Sequence, residues 1–273
     1  MVSFPNCKIN LGLHITHKRS DGYHDLETIF YPISIKDILE TIPDTNSQEE
    51  LVFSHSGLPI QGDQINNLCS KAYHLLKKNY PLLPSIKMHL HKQIPMGAGL
   101  GGGSADGAFT LIQLNHQFQL GLSENQLIQF ALELGSDCPF FIINKACLGK
   151  GRGEILERIE LDLTPYQFLI VNPGIHIGTA WAFSQIKPKP VLQSLNSLIN
   201  QPIKTWKETL VNDFEAPVIT SYPEIGQIKN ALYKAGAIYA SMSGSGSTLY
   251  GIFEKGTKPN FSFPDHYMTI LVD

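Results

Sequence analysis

Three absences narrow the possibilities before any motif is considered. No apolar stretch in the 273 residues approaches the ~20 needed to span a bilayer, so a membrane helix is not expected. There is no basic excess: the net charge is −3, which argues against a general nucleic-acid or anionic-membrane surface. There is also no cysteine framework. Cys7, Cys69, Cys138 and Cys147 lie far apart, without a CxxC pair or zinc spacing. They read as reduced, buried small hydrophobes, which fits a reducing, cytoplasmic compartment. The first residues carry no charged leader before an apolar run, and strand-like alternation begins at once, so nothing is expected to be cleaved. Ten histidines are scattered without an HExxH. His89 and His91 would share one face of a strand and read as surface or packing residues.

What is present is an ordered mixture of strand and helix patterns. Cys7, Ile9, Leu11, Leu13 and Ile15 alternate with Lys8, Asn10, Gly12, His14 and Thr16, which predicts a half-buried strand whose polar face carries a lysine and an asparagine. Ser20-Asp21-Gly22 marks a turn, and strand continues from Leu26 to Ile38 with a bend at Pro32. Leu68, Ala72, Leu75 and Leu76 have helical spacing, with Asn67 at the helix start. Ile86, Met88 and Leu90 predict a strand, and a helix is expected from Ala105 to Asn115. Ser123 with Gln126 resembles a capping box for a helix ending at Gly135. Asp137 before Pro139 suits the start of another short helix. Further on, Leu169 to Val171 reads as a buried strand, Thr179 as the cap of a helix to Ile186, and Ile225 to Ala235 as a helix stopped by Gly236. Strands first, then mixed helix and strand, predict an α+β protein, with a domain boundary between Leu148 and Pro165.

The densest signal is Pro95-Met96-Gly97-Ala98-Gly99-Leu100-Gly101-Gly102-Gly103-Ser104-Ala105, with five glycines and a serine between a strand and a helix. Glycine admits positive φ and leaves no Cβ between backbone amides and a bound anion. The helix that follows adds unsatisfied N–H groups and a positive dipole end. Together these predict a phosphate site, with Ser104 placed to donate to a phosphate or to ligate magnesium. A plain surface turn is the unremarkable alternative. A Walker A loop is excluded because no Gly-Lys-Ser/Thr follows. Gly97 to Gly102 formally satisfies the dinucleotide pattern GxGxxG, but no acidic residue closes a second strand about 20 residues on.

Pro-x-x-x-Gly-Leu-Gly-x-x-Ser resembles the ATP loop of the galactokinase, homoserine kinase, mevalonate kinase and phosphomevalonate kinase (GHMP) superfamily. Two more of its signatures occur in order: Pro5-Asn6-Cys7-Lys8-Ile9-Asn10-Leu11, and Ser243-Gly244-Ser245-Gly246-Ser247. Arg19-Ser20-Asp21-Gly22-Tyr23-His24, Gly135-Ser136-Asp137-Cys138-Pro139-Phe140-Phe141, Pro173-Gly174 and Asn212-Asp213-Phe214-Glu215 are most similar to the branch acting on a cytidine diphosphate-linked methylerythritol. The resemblance spans nearly the whole chain. Gly107 inside the helix after the loop, and a short tail beyond Phe253, depart from the pattern. It implies an N-terminal ATP-binding domain over 1–155, like the second domain of ribosomal protein S5, and a ferredoxin-like domain over 156–273. It also implies ATP and magnesium, a small-molecule alcohol as partner, no nucleic acid or membrane, and a monomer or weak homodimer. A mevalonate- or homoserine kinase-like enzyme is the runner-up. A dinucleotide-dependent oxidoreductase and an S5-like RNA-binding module are the alternatives from other classes.

Residue roles follow from the same resemblance. Asp137, by its own context a helix cap, aligns with the catalytic aspartate as general base. Lys8, otherwise a solvated strand lysine, would keep that base ionised and stabilise developing charge, with Asn10 on the same face touching substrate. Tyr23 and His24, otherwise exposed loop residues, would line a cytidine pocket with Phe183, otherwise a core residue of its helix, and with Thr179. Asn67 and Lys92 resemble positions near the adenine, while a helix start and a loop charge remain the simpler readings of the two.

Overall fold

The computed structural model describes residues 1–44, 48–60, 66–191 and 193–273. These form two compact units, and neither is a continuous stretch. One comprises 1–7, 35–96 and 101–145; the other comprises 8–34, 97–100 and 146–273. A division of the chain at 155 is linear, whereas the compact units interleave along the sequence.

The chain opens with strands β1 (Val2–Ser3), β2 (Asn6–Lys18), β3 (His24–Lys36), β4 (Ile38–Pro43) and β5 (Leu51–Gly57). Helix α1 (Leu68–Asn79), strand β6 (Ile86–Lys92) and helices α2 (Gly102–Gln117), α3 (Glu124–Leu134) and α4 (Cys138–Ile143) follow. In the first unit a four-stranded sheet runs β1-β4-β6-β5, with β6 antiparallel to β4 and parallel to β5. Alternation in β6 buries Ile86, Met88, Leu90 and Lys92. Lys92 is therefore a strand residue, not a loop charge.

Asn67 caps α1 by accepting from the Cys69 amide at 2.8 Å, and Cys69, Ala72, Tyr73 and Leu76 bury one helical face. Ser123 and Gln126 make both bonds of a capping box on α3, and Gly135 ends that helix as expected. Helix α2 begins at Gly102, three residues earlier than the sequence pattern places it. Gly101 stands at the N-cap with φ +69°, while Gly102 and Gly103 lack positive φ and enter the helix. The unusual Gly107 has a packing reason: a Cβ there would come within 2.9 Å of Leu68 Cβ, so its absence lets α1 approach α2.

The second half adds strands β7 (Cys147–Lys150), β8 (Ile155–Arg158) and β9 (Tyr166–Asn172), then short helices α5 (Thr179–Ser184), α6 (Leu195–Ile199) and α7 (Trp206–Thr209). Helices α8 (Glu215–Ser221) and α9 (Pro223–Lys234) precede strands β10 (Tyr239–Met242), β11 (Leu249–Glu254) and β12 (Met268–Val272). One sheet runs β2-β3-β7-β8 and another β10-β11-β9-β12. Strand β9 is central in its sheet, and its apolar run Phe168 to Val171 is buried on both faces, together with the polar Gln167 and Asn172. Leu13, Ile15, Leu169, Val171, Met242 and Phe253 share a core with Val218, Ile225, Ile228 and Leu232. The tail beyond Phe253 finds its place as β12, antiparallel to β9 with Ile270 opposite Ile170. Thr179 is the first residue of α5 rather than its cap, which is Gly178, and α5 stops at Ser184, short of Ile186. The mixed antiparallel strands and helices make the fold α+β, as predicted. Among the described residues no helix is long and apolar enough to cross a membrane. The four cysteines are buried and form no disulfide.

Candidate active site

In the second unit, residues from three separated motifs meet. Gly97 and Gly99 have φ of +65° and +78°, while Ala98 and Leu100 do not turn positive. Such alternation directs successive amides to one side and forms an anion-binding nest. The stretch is held from behind by the serine-glycine turn: Ser243 Oγ donates to Gly99 O at 2.7 Å and Thr248 N to Ala98 O at 3.3 Å. The approach is so close that a Cβ on Gly99 would lie 2.0 Å from Ser243 O. From β2, Lys8 N donates to Leu100 O at 2.9 Å and Asn10 N to Ser243 Oγ at 3.2 Å.

Lys8 itself is buried, 4% exposed, and is not the solvated lysine that its strand context suggests. Its Nζ donates to Asn10 Oδ1 at 2.6 Å and lies 5.1 Å from the Phe30 ring centre. Asn10 Nδ2 donates to Thr28 Oγ1 at 2.9 Å, and that hydroxyl donates to Gly12 O. The Asn10 amide is thus engaged in orienting Lys8. Cation, amide and hydroxyl form one chain of hydrogen bonds.

In the first unit, Gly101 to Ala105 and Asp137 take their places at helix starts, and Met96 lies in the turn that follows Pro95. Asp137 stands at the N-cap of α4, yet its side chain makes no capping bond. Ser104, in the first turn of α2, hydrogen-bonds the Cys138 thiol; burial pushes that thiol up to about 12, with the Asp137 charge adding to the rise and the Ser104 bond opposing it. Ser104 and the start of α4 are therefore neighbours. A Cβ on Gly103 would meet nothing nearer than Met96 Cε at 4.0 Å, which leaves the backbone open to an approaching phosphate.

Asn67 and Lys92, the expected adenine-side residues, do come together: they line one pocket of about 100 Å³ with Leu68, Met96, Gly103 and Asp106. Lys92 is 1% exposed and donates to Asp37 and to Asp106 Oδ2 at 2.8 Å. Asp37 Oδ1 also accepts from the amides of Gln93 and Ile94, at 2.5 and 2.9 Å. One lysine between two buried carboxylates leaves a negative excess. Burial, and the nearby Asp37 charge, push Asp106 up to about 7 against the opposing pull of Lys92. Burial lowers the Lys92 ammonium, but the two carboxylates outweigh it and raise it overall.

The residues expected around a cytidine lie in the second unit. His24 stacks on Phe183 with ring centres 5.0 Å apart and planes at 23°, and Phe183 meets Phe214 edge-on at 4.9 Å. Burial, helped by the Lys18 charge, holds the His24 imidazole below its usual range. Tyr23 is 56% exposed, with the Arg152 guanidinium 5.0 Å from its ring centre. Thr179 is exposed at the start of α5. On β6, His89 and His91 accompany Ser54 and Ser56 hydroxyls on one face, and no group of three metal-ligating side chains occurs among the described residues.

Sequence reasoning missed Asp37, Asp106 and Asn212 as supports of this machinery. Asp37 and Asp106 are isolated acids in different elements, and nothing in their spacing announces a shared lysine. Asn212 stood inside a noticed motif but had no assigned task.

A strand bearing Lys8 bonded to a nest of glycine amides in the second unit, and helix starts bearing Ser104 and Asp137 in the first, are the parts of a phosphoryl-transfer enzyme of the GHMP class. The GHMP kinases N terminal domain matches residues 67–145 and the GHMP kinases C terminal domain matches 194–261. A 4-diphosphocytidyl-2-C-methyl-D-erythritol kinase of Azobacteroides pseudotrichonymphae genomovar. CFP2 is 51% identical over 97% of this chain and 99% of its own. One from Bacteroides thetaiotaomicron is 50% identical over 95% and 94%. A crystal structure of 4-(cytidine 5'-diphospho)-2C-methyl-D-erythritol kinase, 30% identical, superposes with a TM-score of 0.78 over 92% of this chain and 89% of that one. A mevalonate kinase of Methanococcus jannaschii, 14% identical with a TM-score of 0.71, shares the fold. The chain belongs to the 4-diphosphocytidyl-2-C-methyl-D-erythritol kinase family of the GHMP kinases.

Proposed function

We propose that the protein transfers the γ-phosphoryl group of ATP to the 2-hydroxyl of 4-diphosphocytidyl-2-C-methyl-D-erythritol, giving the 2-phosphate and ADP, in non-mevalonate isoprenoid precursor synthesis. The observation that carries this is the 49–51% identity with kinases of that name over nearly the full length of both chains. The mevalonate and homoserine kinase readings have support only at the level of fold, at 13–19% identity.

In this reading the amides of the glycine loop and the start of α2 bind the ATP phosphates, where negative charge meets unsatisfied N–H groups. The opening above Gly103 fits such a ligand. Ser104 offers the hydroxyl that would take a phosphate oxygen or magnesium, and magnesium supplies charge neutralisation on the phosphates. Asn67 and Lys92 border the adenine side. Asp137 accepts the proton of the 2-hydroxyl, the role that its place in the Gly-Ser-Asp-Cys-Pro segment at the start of α4 suggests. Lys8, oriented by Asn10, stabilises charge developing on the transferring group. Tyr23, His24 and Phe183 bind the cytosine, with Thr179 as a polar contact. Four buried cysteines outside any disulfide suit a cytoplasmic location.

An ADP-release assay with the cytidyl substrate, mevalonate, homoserine and free methylerythritol tests the proposal. A preference of about 10²-fold or more in kcat/KM for the cytidyl alcohol is expected, and equal rates on all four would overturn it. Asp137→Asn should lower kcat by roughly 10²-fold or more while ATP affinity changes little. Near-normal turnover would return Asp137 to a helix-start role.

A further inference from the structure

The Asn212-Asp213-Phe214-Glu215 segment is prominent in the sequence, yet none of its residues enters the chemistry above. Asn212 is 1% exposed, and its carboxamide makes three bonds. Nδ2 donates to Met242 O and to Gly244 O, both at 2.8 Å, and Oδ1 accepts from Phe214 N at 3.0 Å. Both amide hydrogens therefore go to the two carbonyls flanking Ser243. Glu215 reinforces the grip from the same segment, accepting from Met242 N at 2.7 Å and from Ser241 Oγ at 2.8 Å.

Ser243 is the residue that Asn212 brackets. Its hydroxyl holds Gly99 O, and Thr248, just beyond the same turn, holds Ala98 O. In a trans peptide the N–H points opposite to the C=O. Tying the Ala98 and Gly99 carbonyls to the turn therefore points the Gly99 and Leu100 amides away from it. Gly99 is half-buried and its amide faces the open side of the nest, while Leu100 is fully buried and locks the loop in place. A cradle with amides already aimed binds an anion without the cost of ordering them at the moment of binding.

We propose that Asn212 is a positioning residue for ATP: it fixes the serine-glycine turn in the register that holds the loop by its Ala98 and Gly99 carbonyls and so aims the Gly99 amide at the nucleotide phosphates. It touches no substrate and acts only through Ser243 and the loop. The inference rests on the kinase reading, but not on which alcohol is phosphorylated.

The test is ATP binding to the full chain by calorimetry, with thermal unfolding measured alongside. Asn212→Ala removes both donors, and Ser243→Ala removes the next link with a smaller disturbance. Each is expected to weaken ATP binding about 10-fold, on the scale of one or two hydrogen bonds to a charged ligand's site. The double variant should be little worse than the worse single one, because the two lie on one path. Steady-state kinetics should show KM for ATP rising while KM for the alcohol holds. If wild-type protein fails to bind ATP, the kinase reading itself falls. If wild type binds ATP and folded Asn212→Ala binds equally well, or if the two substitutions add in full, the positioning role is refuted. Should Asn212→Ala not fold, unchanged ATP affinity in Ser243→Ala breaks the same path and refutes it.

Discussion

Replacing Gly99 with alanine isolates the contact on which the phosphate nest depends, because the structure supplies a matched control. Gly99 and Gly174 have nearly the same φ, +78° and +77°. A Cβ at Gly174 would meet nothing within 4 Å, whereas at Gly99 it would sit 2.0 Å from Ser243 O and 3.3 Å from Gly246 O. Both substitutions incur the left-handed penalty of ~1–2 kcal/mol, offset in part by ~0.4–1 kcal/mol from a less flexible unfolded chain. Gly174→Ala should therefore cost about 1 kcal/mol or less. At Gly99 the obstacle is a backbone carbonyl that no rotamer change can move, so the loop and turn must separate by about 1 Å. Overpacking of that kind costs ~1–3 kcal/mol more, and it breaks the 2.7 Å bond from Ser243 to Gly99 O. Urea unfolding of both variants gives the difference directly, provided m is unchanged. Gly99→Ala should be the less stable by ~1–3 kcal/mol and should also weaken ATP binding. Equal stability of the two variants would refute the close approach of loop and turn.

The buried carboxylate of Asp106 predicts a pH effect. Its value, pushed up to about 7, lies above the ordinary carboxylate range, so the folded protein holds a proton that the unfolded chain has released. The stability this provides is complete below ~4 and is lost as pH rises through about 7. Asp106→Asn should flatten the decline between pH 5 and 8 by roughly 1–3 kcal/mol in urea titrations, and parallel profiles would show that Asp106 does not titrate there. For the cytidine pocket, Tyr23→Ala should raise KM for the cytidyl alcohol with stability within about 0.5 kcal/mol of wild type, since the ring is largely exposed. An unchanged KM would remove Tyr23 from the pocket. Phe183→Ala should raise the same KM but also destabilise, because the ring packs on Phe214 and His24.

The sequence by itself determined the local structures and the identity of the motifs. Asn67 and Ser123 announced their helices because capping is a bond between near neighbours, and the glycine run announced a phosphate loop because its conformational freedom is local. The strand carrying Lys8 and Asn10 was legible from alternation, but not that its polar face would be buried as fully as its apolar one from Asn6 to Leu13. Tertiary structure decided what those residues are attached to. Lys92, legible only as a charge after a strand, is buried between Asp37 and Asp106, 55 and 14 residues away. No periodicity encodes that partnership. The three motifs at Lys8, Gly99 and Ser243 could be ordered along the chain, but only folding brings Ser243 to Gly99 across 144 residues. The tail after Phe253 became a strand only because β9 offered it an edge. Short-range hydrogen bonding and side-chain periodicity can be read from neighbours in sequence. Ion pairing, shared burial and the aim of a backbone amide depend on residues that are distant in sequence, and these only the folded chain defines.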